Sequence, residues 1–278
     1  MPSKILSAIT FALIICTNTF AQTCCSNSTH TFAMLGSDSK FKNSHAEPEP
    51  FIYKPNKGKV VSFDTPDGKK SKAFYVAAAA KTNKYVFVFH EWWGLNDYII
   101  QTAEQLQTEL GYVNVLALDL YDGEVAAKAD VAAHLMQNTK AERCMAIIMG
   151  ASAFAGDDAQ IQTIGWCFGG GWSMQAAEIL KSKTKGCIIY YGMPEKDAAQ
   201  IEKINFPVLG IFAKNDGWIT PKIVSDFETA MKSAGKKVEI KMYDAEHAFA
   251  NPSNPKHNKE FADDAMKMVV GFILENFK

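Results

Sequence analysis

The amino-acid sequence predicts a doubly wound α/β fold: a mostly parallel sheet with helices on both faces. Three observations carry that prediction. From about residue 59 onward, apolar β-rich runs alternate with amphipathic helical stretches. Several runs are apolar throughout, as strands buried on both faces of a parallel sheet must be. The polar residues with chemical potential, among them Cys167, Asp216 and His247, follow directly on such runs. That puts them at the carboxyl edge of the sheet, where open α/β sheets bind ligands.

The strands are expected near Lys59–Phe63, Lys72–Ala77, Tyr85–Phe89, Val113–Leu118, Gln162–Trp166, Cys187–Tyr191, Val208–Ala213 and Val238–Met242. The first of them are short and antiparallel. Helical periodicity fills the gaps at about 97–110, 130–153, 171–182, 221–234 and 257–276. Residues 58–278 form one domain. Residues 22–57 are rich in Ser, Asn, Thr, Lys and Pro, show neither period, and read as a polar leader segment, flexible or draped over the domain. No internal repeat is present.

The first residues, Met-Pro-Ser-Lys, the apolar run Ile5–Cys16 and then Thr19-Phe20-Ala21, have the build of a signal peptide over residues 1–21. The run is much shorter than the roughly 20 apolar residues of a spanning helix. An exported protein, periplasmic or secreted, is therefore expected. Removing Cys16 leaves five of the six cysteines, an odd number, so at least one thiol stays unpaired. Cys24 and Cys25 lie in the leader, while Cys144 and Cys187 have apolar neighbours. No Cys-x-x-Cys spacing or paired Cys/His cluster marks a metal site, and no metal or organic cofactor is expected.

Charge narrows the partners. Of 278 residues, 47% are hydrophobic and 21% charged, and 29 basic residues stand against 30 acidic ones for a net charge of -1. No basic surplus exists to neutralise phosphates, so nucleic acid is excluded as a partner class. Arg143 is the only arginine.

The most informative string is Gly165-Trp166-Cys167-Phe168-Gly169-Gly170, a strand that runs at once into a glycine-rich helix entry. This is the nucleophile-elbow pattern, with cysteine where serine is commoner. Gly165 and Gly169 remove side chains that the reversal would crush, and the elbow is expected to present Cys167 exposed above the sheet edge. The helix N-terminus favours thiolate. A nucleophile needs a base and an orienting acid, in the order nucleophile, acid, histidine for this fold. Asp216, in Lys-Asn-Asp-Gly-Trp-Ile-Thr-Pro, and His247, in Glu-His-Ala-Phe, follow in that order. A turn or N-cap aspartate and a solvated loop histidine are the plainer alternatives. The loop Glu91-Trp92-Trp93-Gly94 offers the Trp92 N–H as an oxyanion donor beside the Phe168 N–H, and Glu91 as a carboxylate able to hold the thiol protonated or to take its proton. Trp92, Trp93, Tyr121, Trp166 and Trp218 line an aromatic pocket or serve as ordinary packing.

Taken together, Glu91-Trp92-Trp93-Gly94-Leu95-Asn96, Asp119-Leu120-Tyr121, the elbow, Asn215-Asp216 with Pro221, and His247-Ala248-Phe249 resemble the motifs of the dienelactone hydrolase family, in family order, over about residues 59–278. The resemblance implies an α/β-hydrolase fold, a Cys167, His247 and Asp216 triad, a thiol-activating Glu91, and oxyanion amides at Trp92 and Phe168. It implies cleavage of a small-molecule ester or lactone through a covalent acyl-enzyme. One departure is plain. The best-known members grip a substrate carboxylate with two arginines, one of them four residues after the histidine, where this chain has Asn251; Arg143 matches neither. Two other classes stay open: a noncatalytic ligand-binding module on the same fold, and a thiol redox protein, against which the missing Cys-x-x-Cys counts.

Overall fold

The computed structural model describes residues 27–278; the signal-peptide expectation over residues 1–21, together with Cys24 and Cys25, falls outside them. Eight strands form a single sheet: β1 (Lys59–Asp64), β2 (Lys70–Val76), β3 (Lys84–Phe89), β4 (Asn114–Leu118), β5 (Gln160–Trp166), β6 (Thr184–Tyr190), β7 (Val208–Ala213) and β8 (Val238–Tyr243), in the order β1-β2-β4-β3-β5-β6-β7-β8. β1 and β2 form a hairpin, and β2 lies antiparallel to β4. Every other neighbouring pair is parallel. β4 and β7 are buried along their whole length, which is why Val115–Leu118 and Val208–Ala213 are unbroken apolar runs rather than alternating ones.

Helices α3 (Asp97–Leu110), α6 (Phe168–Leu180), α8 (Pro221–Ser233) and α9 (Lys259–Asn276) fill the expected gaps. The single helix expected over 130–153 is two, α4 (Ala129–Asn138) and α5 (Ala141–Ala155). Thr139 and Lys140 are extended between them, and the Thr139 hydroxyl donates to the Leu135 carbonyl at 2.7 Å. The break lets the two apolar faces meet different partners: α5 packs on the sheet, whereas α4 packs on the N-terminal segment. A one-turn helix, α7 (Ala198–Ile201), was not foreseen. Among the described residues no helix is long and apolar enough to cross a membrane.

The N-terminal segment departs furthest from expectation. Within the stretch read as aperiodic lie α1 (Asn27–Met34), a 3-10 turn over Leu35–Ser37, and α2 (Ser39–Ser44), capped by the Asp38 carboxylate accepting from Lys40 N at 2.8 Å. Helices this short are marginal alone, so tertiary contacts hold them. Thr29 donates to Gln175 of α6, and Phe32 and Phe41 are buried in the main core.

The return path to β1 is fastened at one carboxylate. Glu104 of α3 accepts from the N–H groups of Asn56, Lys57 and Gly58 at 3.1, 2.6 and 2.6 Å, and from the Tyr53 hydroxyl at 2.7 Å. Burial alone would raise this carboxyl; the four donors outweigh it and hold it down at about 2. A depressed carboxyl contributes stability that is present above its unfolded value and lost as pH falls toward the folded one. Glu104→Ala, which strands three backbone donors, is therefore expected to cost about 3 kcal/mol at pH 7. In thermal melts the gap from the parent should narrow below about pH 4, where the unfolded carboxyl protonates. A gap that is the same at pH 7 and pH 3 would contradict this.

Candidate active site

Cys167 sits between the last residue of β5 and the first of α6 with φ 57° and ψ -120°. That left-handed conformation is strained for a residue with a side chain and recurs where a functional group must be held in place. The reversal brings backbones into contact: a Cβ on Gly165 would come within 2.0 Å of the Gly169 carbonyl oxygen, and one on Gly169 within 2.3 Å of the carbonyls of His90 and Phe89. Glycine is required at both positions. The Cys167 N–H donates to the Tyr190 carbonyl at 2.9 Å, tying the elbow to the end of β6. Phe168 opens α6, so its N–H has no intrahelical acceptor and turns toward the Cys167 sulfur.

Asp216 and His247 lie on the loops after β7 and β8. One Asp216 oxygen accepts from the N–H groups of Trp218 and Ile219 at 2.9 Å each, and the other accepts from His247 Nδ1 at 2.6 Å. Asp216 is thus both the turn aspartate and the partner of the histidine; the N-cap of α8 is Thr220. Burial alone would raise the Asp216 carboxyl, but the facing imidazole and the two N–H groups hold it below its ordinary range. Burial opposes charge on His247, yet Asp216 and the Cys167 sulfur raise it well above an ordinary histidine. One of its ring nitrogens stands within 4.8 Å of the Cys167 sulfur. The thiol itself is pushed up by burial and by Glu91 and pulled back by His247; the net direction is up, so it rests protonated.

Glu91 is buried on the loop after β3. It accepts from the Tyr191 hydroxyl at 3.4 Å and from the Asn251 side-chain amide. Burial raises its carboxyl to about 7. Its backbone is pinned by His90, whose Nδ1 lies 2.6 Å from the Glu91 carbonyl while Nε2 accepts from Leu120 N at 3.2 Å. Gly94 closes the turn that carries Trp92, with φ 90° and its N–H on the Glu91 carbonyl at 3.3 Å.

A cleft of about 420 Å³ opens beside these groups, with Glu91, Trp93, Trp166, Tyr190 and Asn251 on its walls. A second cavity of about 180 Å³ has His45, Trp218 and His247 on its walls. Trp93, Trp166 and Asn251, all expected to contact substrate, are on the wall of the larger cleft. Tyr121 and Trp218 are not: Tyr121 packs against His90 and Phe168, and Trp218 faces the second cavity with its indole N–H 3.4 Å from Asp38. Arg143 is committed to Asp67 and Asp122, at 3.0 and 2.6 Å. Cys144 and Cys187 are buried free thiols.

The expectation of an exposed elbow is overturned. Cys167 is 1% exposed and lies on neither cavity wall. The N-terminal segment covers it. The Phe41 ring stands 5.3 Å from Trp92, 5.2 Å from Trp218 and 6.1 Å from His247, with Phe32 at 6.4 Å from His247. His45 packs between Trp92 at 4.6 Å and His247 at 5.1 Å. Burial, then the facing His247, lower its imidazole to about 3, so it is neutral. None of these three residues was foreseen, because a polar segment hides a few buried rings; Tyr191 was discoverable, since it ends a strand at the ligand edge.

The arrangement brings together a thiol, an imidazole oriented by a carboxylate, the Phe168 N–H at a helix start and a second carboxylate, the parts needed for acyl transfer. Comparison with known proteins agrees with the geometry. The dienelactone hydrolase family profile matches residues 72–277. The carboxymethylenebutenolidase of Pseudomonas sp. (strain P51) is 25% identical over 214 residues, 72% of this chain and 88% of that one. Protein usf of Aquifex pyrophilus is 27% identical over 230 residues, 78% and 98% of the two chains. Among solved structures, a dienelactone hydrolase-like promiscuous phosphotriesterase from metagenomic libraries shares the fold with a TM-score of 0.67 at 18% identity, covering 79% of this chain and 99% of that one. The chain belongs to the dienelactone hydrolase family.

Proposed function

We propose that the protein hydrolyses a small carboxylic ester or lactone through a covalent thioester on Cys167. The observation that supports this best is the strained elbow cysteine facing an imidazole that Asp216 holds at 2.6 Å, all within the family-matched region. Cys167 attacks the carbonyl carbon as its proton passes to His247, directly or by way of Glu91, and the N–H groups of Trp92 and Phe168 receive the oxyanion. Collapse expels the alcohol, protonated by His247. His247 then deprotonates a water that cleaves the thioester, and Asp216 keeps its ring in the required tautomer. Trp93 and Trp166 offer aromatic walls to the substrate in the adjoining cleft.

Asn251 supports a neutral substrate. Its amide donates to Glu91 in place of a cation, so a carboxylate entering beside Glu91 would meet an acid rather than a guanidinium. The direct experiment mixes purified protein with aryl esters and small lactones, in pairs that differ by one carboxylate, and quenches in acid for intact mass. An acyl adduct on Cys167 and a higher kcat/KM for the neutral member are expected; turnover without any adduct, or a strong anionic preference, contradicts the respective half.

Glu91 sets the pH dependence. Below about 7 it is neutral, and above that it is a carboxylate able to take the thiol proton, so kcat/KM should rise through that value. Glu91→Gln is expected to erase the inflection and lower the plateau about 100-fold. A variant that keeps the limb near pH 7 would assign it to another group. We also propose export directed by residues 1–21, tested by intact mass: a mature chain beginning near Gln22 supports it, and retained Met1 in soluble cytoplasmic protein contradicts it.

A further inference from the structure

The hydrolytic reading leaves His45 without a use. It follows α2 as its C-cap residue and is 6% exposed. Its Nδ1 lies 2.7 Å from the Phe41 carbonyl, which can only accept, so the ring proton is on Nδ1 and the lone pair is on Nε2. That Nε2 is buried and has no hydrogen-bond partner, while His247 Nε2 meets only the Cys167 thiol. Unpaired buried polar atoms are rare and costly, and an ion is one of the standard reasons for them. Here the unpaired nitrogen converges with His247 on one thiol: the donor atoms of His45, Cys167 and His247 all lie within 4.8 Å of one another.

We propose that His45, Cys167 and His247 form a binding site for a late first-row transition ion of the zinc class, which ties the N-terminal segment to the thiol and closes the site to substrate. The donor set is two imidazoles and a thiolate, the ligand types such borderline-soft ions select. With Zn–N bonds of about 2.0–2.1 Å and a Zn–S bond of about 2.3 Å, the edges of the coordination tetrahedron are about 3.3–3.6 Å. Closing the trio onto an ion takes about an ångström of side-chain movement. Each imidazole already has its other nitrogen hydrogen-bonded, His247 to a carboxylate and His45 to a backbone carbonyl, which is the outer shell that orients histidine ligands. The 180 Å³ cavity walled by both histidines supplies an entry path.

The charge and proton balance is simple. A divalent ion displaces the Cys167 proton, and any proton on His247 Nε2, to solvent; it ends bound by one thiolate and two neutral imidazoles, with a fourth position open to water and no change of oxidation state. The site stands independently of the hydrolase reading, whereas its effect on turnover rests on it.

The test uses the full-length chain with Cys24 and Cys25 replaced by serine, so that leader thiols do not compete. Chelator-stripped protein is titrated with Co2+ and then Zn2+. One Co2+ per chain with a thiolate-to-cobalt charge-transfer band is expected, displaced by Zn2+, and Cys167→Ser should remove the band. His45→Phe keeps a ring against Phe41 and Trp92 but no donor, and should weaken Zn2+ about 100-fold or more; His45→Leu serves as a second variant, with circular dichroism reporting the fold of each. In an ester assay, one equivalent of Zn2+ should abolish turnover of the parent and chelator should restore it, while His45→Phe keeps its basal rate and needs about 100-fold more Zn2+. A parent that binds no Co2+, or a His45→Phe protein that binds and is inhibited like the parent, overturns the proposal. If no ester is turned over at all, the hydrolase reading fails and the Co2+ titration still decides the site.

Discussion

Cys167→Ala is expected to lower kcat/KM for an activated aryl ester by about 10⁴-fold, leaving the residual rate that N–H donors and substrate positioning supply without a nucleophile. The same substitution should cost stability only modestly. Cys167 is 1% exposed, so removing its sulfur opens a void of one heavy atom, worth about 1 kcal/mol. For a domain of this size that lowers Tm by about 2–4 °C. The backbone strain at φ 57° is unchanged, because alanine carries the same Cβ. Stopped assays over a substrate series, beside a thermal melt of both proteins, separate the two effects. A variant that keeps more than a tenth of parental turnover removes the thiol from the mechanism and favours a noncatalytic or alternative role for the site.

Phe41→Ala is expected to raise the rate of Cys167 alkylation by a neutral reagent such as iodoacetamide about 100-fold or more. Phe41 is fully buried, and its ring meets Phe32, His45, Trp92, Trp218 and His247, so it is the main apolar bond between the N-terminal segment and the site. Truncating a buried Phe costs about 3–5 kcal/mol. The segment adds no strand to the sheet and packs on α4 and α6 from outside it, so most of that loss should appear as local opening rather than global unfolding. About 3 kcal/mol corresponds to a factor above 100 in the open population, and a buried thiol is labelled only from the open form. Alkylation followed by mass spectrometry, with Cys144 and Cys187 as buried controls, reads this directly. Labelling of Cys167 at the parental rate would show that substrate and reagents reach the thiol by a route the segment does not cover. An accompanying fall in KM for bulky esters would identify the segment as a barrier to substrate.

Much of the fold was legible because its signals are local. Two-sided burial writes unbroken apolar strings such as Val208–Ala213, and a strand reversing into a helix needs glycine at positions 165 and 169 whatever surrounds it. The order Cys167, Asp216, His247 and the placement of each after a strand are equally local. The division of 130–153 into two helices was not legible, since both halves are good helices and only their different packing partners demand the break at Thr139.

The N-terminal segment shows the limit most clearly. Its composition is polar, and nothing in the spacing of Phe32, Phe41 and His45 announces that they share one buried surface with His247. By itself the sequence determined the alternating α/β architecture, the elbow, and which loop carries each of Glu91, Cys167, Asp216 and His247, because chain geometry and backbone sterics impose those on neighbouring residues. Only the tertiary structure decided that the thiol is covered, that Asn251 is bonded to Glu91, that Trp218 faces away from the larger cleft, and that His45 meets Cys167 and His247. Those are pairings between distant parts of the chain, set by side-chain packing and hydrogen bonding in three dimensions, and no periodicity of the sequence encodes them.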